Sequence, residues 1–363
     1  MMSLRQGFRT RTPVKQERVL QLLRKQIVDG KLGLGAQLPT RQKLEDTFQV
    51  SAATLQRALD RLIQDGLVYA RGSSGTFVSE NPPFISRYGL VFPGSSSAAP
   101  SIRFYTALRN EADRVARATA SARSMAVYFG GDGHSDSEDF KRLLKDVLAC
   151  KVAGLIIIGS PEPYEQTAIM QRARLPRILI GWAHGDVPVA RLEPALVDRA
   201  LDFLGKRGRR KIAWVGHAAQ MSDRSFVAGW MAAIQRRKMQ SAPHWMQGLS
   251  ISSPMPARNL VHLMMHPSMR DRPDGLVIAD DNLVEYATAG LIDAQIRVPG
   301  DVDVAAHCNF PWPAPSVLPV NRLGYDAREC LRVCMDSIDR QRAGRRVPGT
   351  TMIPVRFEEE IAP

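Results

Sequence analysis

Val19, Leu22, Leu23 and Ile27 recur at the spacing of one helix face, so the pattern predicts an amphipathic helix from about Lys15 to Asp29. Gly30, Gly33 and Gly35 break it. Leu38-Pro39-Thr40 opens a second, short helix, with Thr40 as its N-cap and Leu44 and Phe48 toward the core. Gln49 and Val50 form a turn. Ser51 then caps a third helix whose buried stripe is Leu55, Ala58, Leu59, Leu62 and Ile63. Gly66 follows the last apolar turn, where a left-handed residue is wanted. Leu67-Val68-Tyr69 and Thr76-Phe77-Val78 read as short strands joined through Arg71-Gly72-Ser73-Ser74-Gly75. Three helices and a glycine-tipped hairpin make a winged helix-turn-helix over residues 15–80. Residues 1–14 read as a disordered basic arm and 81–87 as a linker.

The apolar stripe of the third helix decides what stays outside it. Ala52, Ala53, Gln56 and Arg57 lie off the stripe, and the two alanines are small enough for the helix end to approach base edges. A Gln at such a place can pair bidentately with adenine, and an Arg can reach guanine or phosphate. Thr40, Ser51 and Thr54 cluster at the helix starts. Arg41 and Arg71 are placed as phosphate contacts, while Gly72 and Gly75 let the wing backbone come near a groove.

After Pro83 the rhythm changes. Tyr88–Phe92, Met125–Phe129, Val152–Ile158, Arg177–Ile180, Lys211–Val215 and Gly275–Ile278 are unbroken apolar runs. Helical segments alternate with them, at about Ile102 to Ala118, Asp136 to Cys150 and Phe226 to Arg237. Continuous apolar strands alternating with helices predict an α/β fold with parallel sheets covered on both faces. Such sheets bind ligands beyond the carboxyl ends of their strands.

The chain has 363 residues and a formal net charge of +13. Residues 1–83 hold 13 Lys/Arg against 7 Asp/Glu, and the remainder 36 against 29. The small N-terminal part is thus far more basic per residue, as a nucleic-acid module is. The run Lys206-Arg207-Gly208-Arg209-Arg210-Lys211 reads as a solvated loop rather than a second phosphate patch. Four cysteines make no disulfide framework at this length, and Cys330 and Cys334, one turn apart, read as a packed helix face rather than metal ligands. No apolar run approaches a membrane span, and no hydrophobic signal core opens the chain. The expected location is therefore the cytoplasm, with the nucleoid. No Gly-rich phosphate loop, no Gly-x-Ser-x-Gly and no metal-spaced His set occurs. The expectation is a protein that is not an enzyme, with no cofactor and no metal.

Residues 16–79 resemble the GntR-type winged-helix domain. The carrying motifs are Ile27-x-x-Gly30-x-Leu32-x-x-Gly35-x-x-Leu38-Pro39-Thr40-Arg41, Val50-Ser51-x-x-Thr54-Leu55-x-x-Ala58-Leu59-x-x-Leu62-x-x-x-Gly66-Leu67-Val68, and Gly75-Thr76-Phe77-Val78. Ala52 and Gln56 stand where that family usually has arginines, so no operator sequence carries over. Residues 88–363 resemble the effector domain of LacI/GalR-type repressors, which is similar to periplasmic sugar-binding proteins. The resemblance rests on Val152-Ala153-Gly154-Leu155-Ile156-Ile157, Leu175-Pro176-Arg177-Ile178-Leu179-Ile180, Gly208-Arg209-Arg210-Lys211-Ile212-Ala213, Arg224-x-x-x-x-Gly229, Arg272-Pro273-Asp274-Gly275-Leu276-Val277-Ile278 and Ile296-x-Val298-Pro299-Gly300-Asp301-Val302. Together the two halves resemble the arabinose-repressor-like architecture.

That resemblance implies two lobes around a cleft, with crossovers near 190, 320 and 348. It implies that Arg224 is an effector-binding arginine and that Asp281 and Asn282 stand at a strand end facing the ligand. Ser95, Ser96 and Ser160 would follow strands, and Trp182 would stack on a sugar ring. Ala306-His307-Cys308-Asn309 replaces the family's Gly-x-Asp, leaving His307 or Asn309 to take the polar role. The expected function is a homodimeric, sequence-specific transcription regulator, by default a repressor. It binds double-stranded operator DNA under control of a small carbohydrate-like effector, without a membrane partner. The alternatives are a DNA-binding dimer with a degenerate, ligand-free sensor, and an enzyme of unrecognised type in the α/β part.

Overall fold

The computed structural model describes residues 15–94, 102–118, 123–130, 138–159, 167, 169, 175–183 and 185–361. The basic arm, Ser95, Ser96 and Ser160, together with most of the segment between 160 and 174, lie outside the described residues.

The N-terminal unit is built from α1 (Lys15–Val28), α2 (Arg41–Phe48), α3 (Ala52–Gln64), β1 (Val68–Ala70) and β2 (Thr76–Val78). Thr40 Oγ1 accepts from Lys43 N and Ser51 Oγ from Thr54 N, so both expected caps are in place. Gln49 takes the left-handed conformation in the turn between α2 and α3, and Gly66 does so after α3. The core is Leu20, Leu23, Ile27, Leu44, Leu55, Leu59, Leu62, Leu67 and Val78. Two stripe residues depart from the expected pattern: Leu22 and Ile63 are exposed. Leu20 and Arg24 are buried on α1 in addition to the apolar stripe. The stripe is thus rotated toward α3, the helix against which α1 packs.

Residues 81–87 are no plain linker. Pro83–Ser86 form a helical turn, α4, and β3 (Arg87–Val91) begins directly after it. The rest is two lobes, each around a six-stranded sheet. Lobe 1 has the order β4-β3-β5-β6-β7-β13, with β4 Ser124–Tyr128, β5 Gly154–Ile158, β6 Arg177–Ile180, β7 Val189–Leu192 and β13 Thr350–Ile353. All its pairings are parallel. Lobe 2 has the order β9-β8-β10-β11-β12-β14, with β8 Ile212–His217, β9 Met246–Leu249, β10 Gly275–Ile278, β11 Asp303–Phe310, β12 Asn321–Asp326 and β14 Arg356–Phe357. Only β14 runs antiparallel to its neighbour.

Among the described residues the helices are α5 (Arg103–Arg117), α6 (Glu138–Leu148), α7 (Leu196–Lys206), α8 (Ala218–Ser222), α9 (Arg224–Arg236), α10 (Pro256–Met265), α11 (Val284–Asp293) and α12 (Ala327–Arg342). The chain changes sheet between β7 and α7, between β12 and α12, and between β13 and β14. The last two passages come several residues later than the sequence placed them. Their position is set by α12, which returns to lobe 1. There the Tyr88 hydroxyl donates to Asp339 over 2.7 Å, and the Gln341 side chain pairs with both backbone polar groups of Arg177. Cys330 and Cys334 are buried on α12 as packing residues.

Glu193 ties two passages together. Its carboxylate accepts from Val355 N and its carbonyl from the Tyr325 hydroxyl. The basic run is more constrained than a solvated loop: Arg207 and Arg209 both hold buried Asp303, and Asp274 accepts from the backbone N–H of Arg210 and Lys211. Among the described residues no helix is long and apolar enough to cross a membrane.

Candidate nucleic-acid interface and interlobe cavity

Ala52, Ala53 and Arg57 are exposed on α3, as are the capping Ser51 and Thr40 and the neighbouring Arg41. Arg41, Arg57 and Arg71 have no acidic partner among the described residues. Thr54 is half-buried because its hydroxyl completes the cap with Ser51 over 3.0 Å. Gln56 is also half-buried, and its Nε2 donates to Asp60 one turn on, over 2.6 Å. Its amide is thus held along the helix, and reading a base bidentately would release Asp60.

The wing is braced by a residue that the sequence did not single out. Gln37 pairs by backbone with Phe77, and its Nε2 donates to Ser74 O over 2.7 Å. Gly75 has φ +107, and a Cβ there would lie 2.8 Å from Gln37 Nε2. The backbone conformation requires glycine, and a Cβ there would also displace the Gln37 amide from Ser74. Tyr69 and Phe77 stack across the hairpin with centroids 5.8 Å apart. Arg71 and Gly72 are exposed at the tip. One surface therefore carries the start of α3, the start of α2 and the wing, with free guanidinium groups around small side chains. Such a surface suits a major groove with flanking phosphates.

The second site is a cavity of about 540 Å³ between the lobes. Phe92, Pro93 and Phe129 reach it from the carboxyl ends of β3 and β4, and Arg103, Tyr105, Thr106 and Arg109 from α5. Lobe 2 contributes Ile251, Ser252 and Pro254 after β9, and Asn282, Glu285 and Tyr286 at the start of α11. Strand ends of both sheets meet there, as parallel sheets lead one to expect. Two contacts bridge the lobes at its edge. Arg103 N donates to Asn282 Oδ1 over 3.0 Å, and the Arg103 guanidinium meets Glu285 at 3.1 Å.

Of the expected effector residues, Asn282 lines the cavity. Asp281 does not: it is buried behind Asn282, where it accepts from Asn309 Nδ2 over 2.8 Å and lies 3.6 Å from His307 Nδ1. His307 and Asn309 are therefore partners of Asp281 and not cavity-lining groups. At 3.6 Å the His307 contact is electrostatic rather than a hydrogen bond. Burial works against the charged His307, but contact with Asp281 and the charges of Asp281 and Asp280 outweigh it, so its pKa is raised. Trp182 is 75 % exposed, with the Arg191 guanidinium 5.3 Å from its ring centroid, and does not line the cavity. Arg224 is exposed at the start of α9, beside the capping Asp223, and is also outside the cavity lining. Sequence reasoning missed Arg103, Arg109, Tyr105 and Tyr286. The available signal was two arginines six residues apart on a helix that follows the first strand.

Residues 15–78 match the model of the bacterial regulatory proteins of the gntR family, and residues 201–356 that of a periplasmic binding protein-like domain. The arabinose metabolism transcriptional repressor of Geobacillus stearothermophilus is 21% identical over 337 residues, covering 84% of this chain and 86% of the repressor. An HTH-type transcriptional repressor of Salmonella typhimurium is 36% identical over 69 residues, 19% of this chain and 28% of that protein. Among solved structures, a LacI family transcriptional regulator from Lactobacillus casei with bound glucose superposes with a TM-score of 0.53 at 16% identity, over 75% of this chain and 98% of that one. The lac repressor dimer bound to operator gives 0.51 at 20% identity, over 75% and 91%. These structures share the two-lobed fold.

Proposed function

We propose that this chain, which joins a GntR-type winged helix to a periplasmic-binding-protein-like body, is a ligand-controlled repressor of transcription acting as a homodimer on a pseudo-palindromic operator. One observation carries this reading. A single chain holds an exposed, small-residue end of α3 beside a glycine-tipped wing, and a two-lobed body with a cavity between its lobes. Two copies would place two α3 helices in successive major grooves. Ligand control requires that the ligand bind the DNA-competent and DNA-incompetent states with different affinity. Arg103 is the residue on which that difference falls, because it spans the lobes at the cavity edge.

The comparisons support the repressor class: the relative from Geobacillus stearothermophilus is a repressor of arabinose metabolism, and the neighbour from Lactobacillus casei holds glucose. The test is enrichment of operator sequences from a random duplex pool by the purified protein at fixed salt. Enrichment of an inverted repeat, bound at least a thousandfold more tightly than random duplex, is the expected result. Binding that stays uniform across sequences would overturn the reading.

A second reading, a DNA-binding dimer whose sensor takes no ligand, is favoured by one feature. Asp281 is consumed by Asn309 and His307 instead of facing the cavity. A ligand bound to the native state raises the melting temperature by mass action, so a thermal-shift screen separates the two.

A further inference from the structure

We propose that the interlobe cavity takes a small aromatic carboxylate, held by Arg109 and flanked by the aromatic walls of both lobes, rather than a neutral sugar. The proposal rests on the reading of this cavity as the effector site.

The walls suit a flat apolar body. Phe92 stacks on Phe129 with centroids 5.6 Å apart and interplanar angle 27°, and Tyr105 meets Phe92 edge-on at 5.6 Å. Tyr286, Ile251 and Pro254 face them from lobe 2. Aromatic rings favour offset or edge contacts with a ring inserted between them.

The polar inventory selects the head group. A sugar hydroxyl donates as well as accepts, so a polyol needs acceptors on the wall. Among the described lining residues the carboxylate and the amide each already hold a partner. Glu285 is paired with Arg103. Asn282 Oδ1 accepts from Arg103 N, while its Nδ2 donates to Asp280 over 2.7 Å. Ser252 is joined to Ser250 over 2.9 Å. The carboxylate expected to meet hydroxyls, Asp281, is turned into lobe 2.

The groups without a partner can all donate. Arg109 lines the cavity, is exposed, and has no acidic partner among the described residues. Arg103 spends only part of its five-donor fork on Glu285. The hydroxyls of Tyr105 and Tyr286 have no hydrogen-bond partner among the described residues, and burial raises the Tyr105 pKa, so that phenol keeps its proton to donate. A wall rich in cationic and phenolic donors matches an acceptor-only carboxylate, and arginine binds carboxylates bidentately.

The experiment is calorimetric titration of the full-length protein with benzoate, 4-hydroxybenzoate and phenylacetate, beside benzamide, glucose, arabinose and glucose 6-phosphate. At least one aromatic carboxylate is expected to bind saturably, benzamide at least tenfold more weakly than benzoate, and Arg109→Ala to weaken the carboxylate at least tenfold. Arg109 is exposed and has no acidic partner among the described residues, so the variant loses no ion pair among them. Arg109→Lys is expected to recover part of the loss. Binding of glucose or arabinose with no response to the carboxylates would overturn the ligand class and leave the cavity as effector site. Binding of glucose 6-phosphate alone would overturn the aromatic body. Carboxylate binding unchanged in both Arg109→Ala and Tyr286→Ala would place the ligand elsewhere and overturn the reading of the cavity as effector site.

Discussion

Lys151 of lobe 1 closes an ion pair on Asp65, the residue that ends the helix α3, with Nζ 2.7 Å from Oδ1. Asp65 is almost wholly buried, and Arg24 of α1 holds its other oxygen at 2.6 Å, with Arg61 at 3.4 Å from Oδ1. Three cations at a helix C-terminus also complement its partial negative charge. The DNA-reading unit is thus tied to the two-lobed body at the far end of its exposed helix. A second tie runs from Arg342 of α12 to the carbonyl of Ile85 in α4 over 2.8 Å.

Removing Asp65 should be costly. Asp65→Asn leaves Arg24 buried without its carboxylate, and losing one partner of a buried pair costs about 3–5 kcal/mol. Lys151→Ala leaves Arg24 and Arg61 in place, so a cost of about 1 kcal/mol is expected, as for a more exposed pair. Its larger effect is on cooperativity: the reader and the body should melt in two transitions rather than one. Differential scanning calorimetry checks this. A single transition in Lys151→Ala, together with a cost below about 1 kcal/mol in Asp65→Asn, would remove the tie from the account.

Arg71 and Gln56 of the DNA-reading surface should differ in kind. Arg71→Ala is expected to weaken binding about tenfold on every duplex and to lower the slope of log affinity against log salt by about 1. Gln56→Ala should instead lose about 1–3 kcal/mol of discrimination at one base pair, with the salt slope unchanged. Binding titrations at several salt concentrations on matched and mismatched operators read both. Equal losses on all sequences for Gln56→Ala would mean that its contact with Asp60 is structural and that other residues read the bases.

His307 should make stability depend on pH. Its folded pKa is raised above the ordinary value by Asp281 and Asp280, despite the opposing effect of burial. A raised pKa means that the charged form is favoured in the fold. The stabilisation is complete below the ordinary histidine value of about 6.5 and is lost as pH rises through the folded value. The stability difference between the parent and His307→Gln should therefore be larger at pH 5.5 than at pH 8.5 by denaturant unfolding. An equal difference at both values would show that His307 stays neutral in its contact with Asp281.

Much of the reader was legible because its signals are local. The caps at Thr40 and Ser51 act over three residues, and Gly66 answers the conformation of a single residue. The helical period of Leu55, Leu59 and Leu62 and the unbroken apolar runs of β3, β5 and β10 likewise need no distant information. The element order, the winged helix and the parallel α/β body follow from these patterns. What the sequence alone left undecided depends on partners far along the chain. Arg24 is buried because Asp65, 41 residues on, neutralises it. Asp281 turns away from the cavity because Asn309, 28 residues on, supplies a donor in the interior. Arg103 becomes a cavity residue only when Asn282 and Glu285 of the other lobe come to meet it. Local pattern determines which elements form, since each turn of helix or strand is judged against its near neighbours. Only the tertiary structure decides which charged and polar groups are spent on one another and which remain for a ligand, because that depends on long-range pairing and on the desolvation it brings.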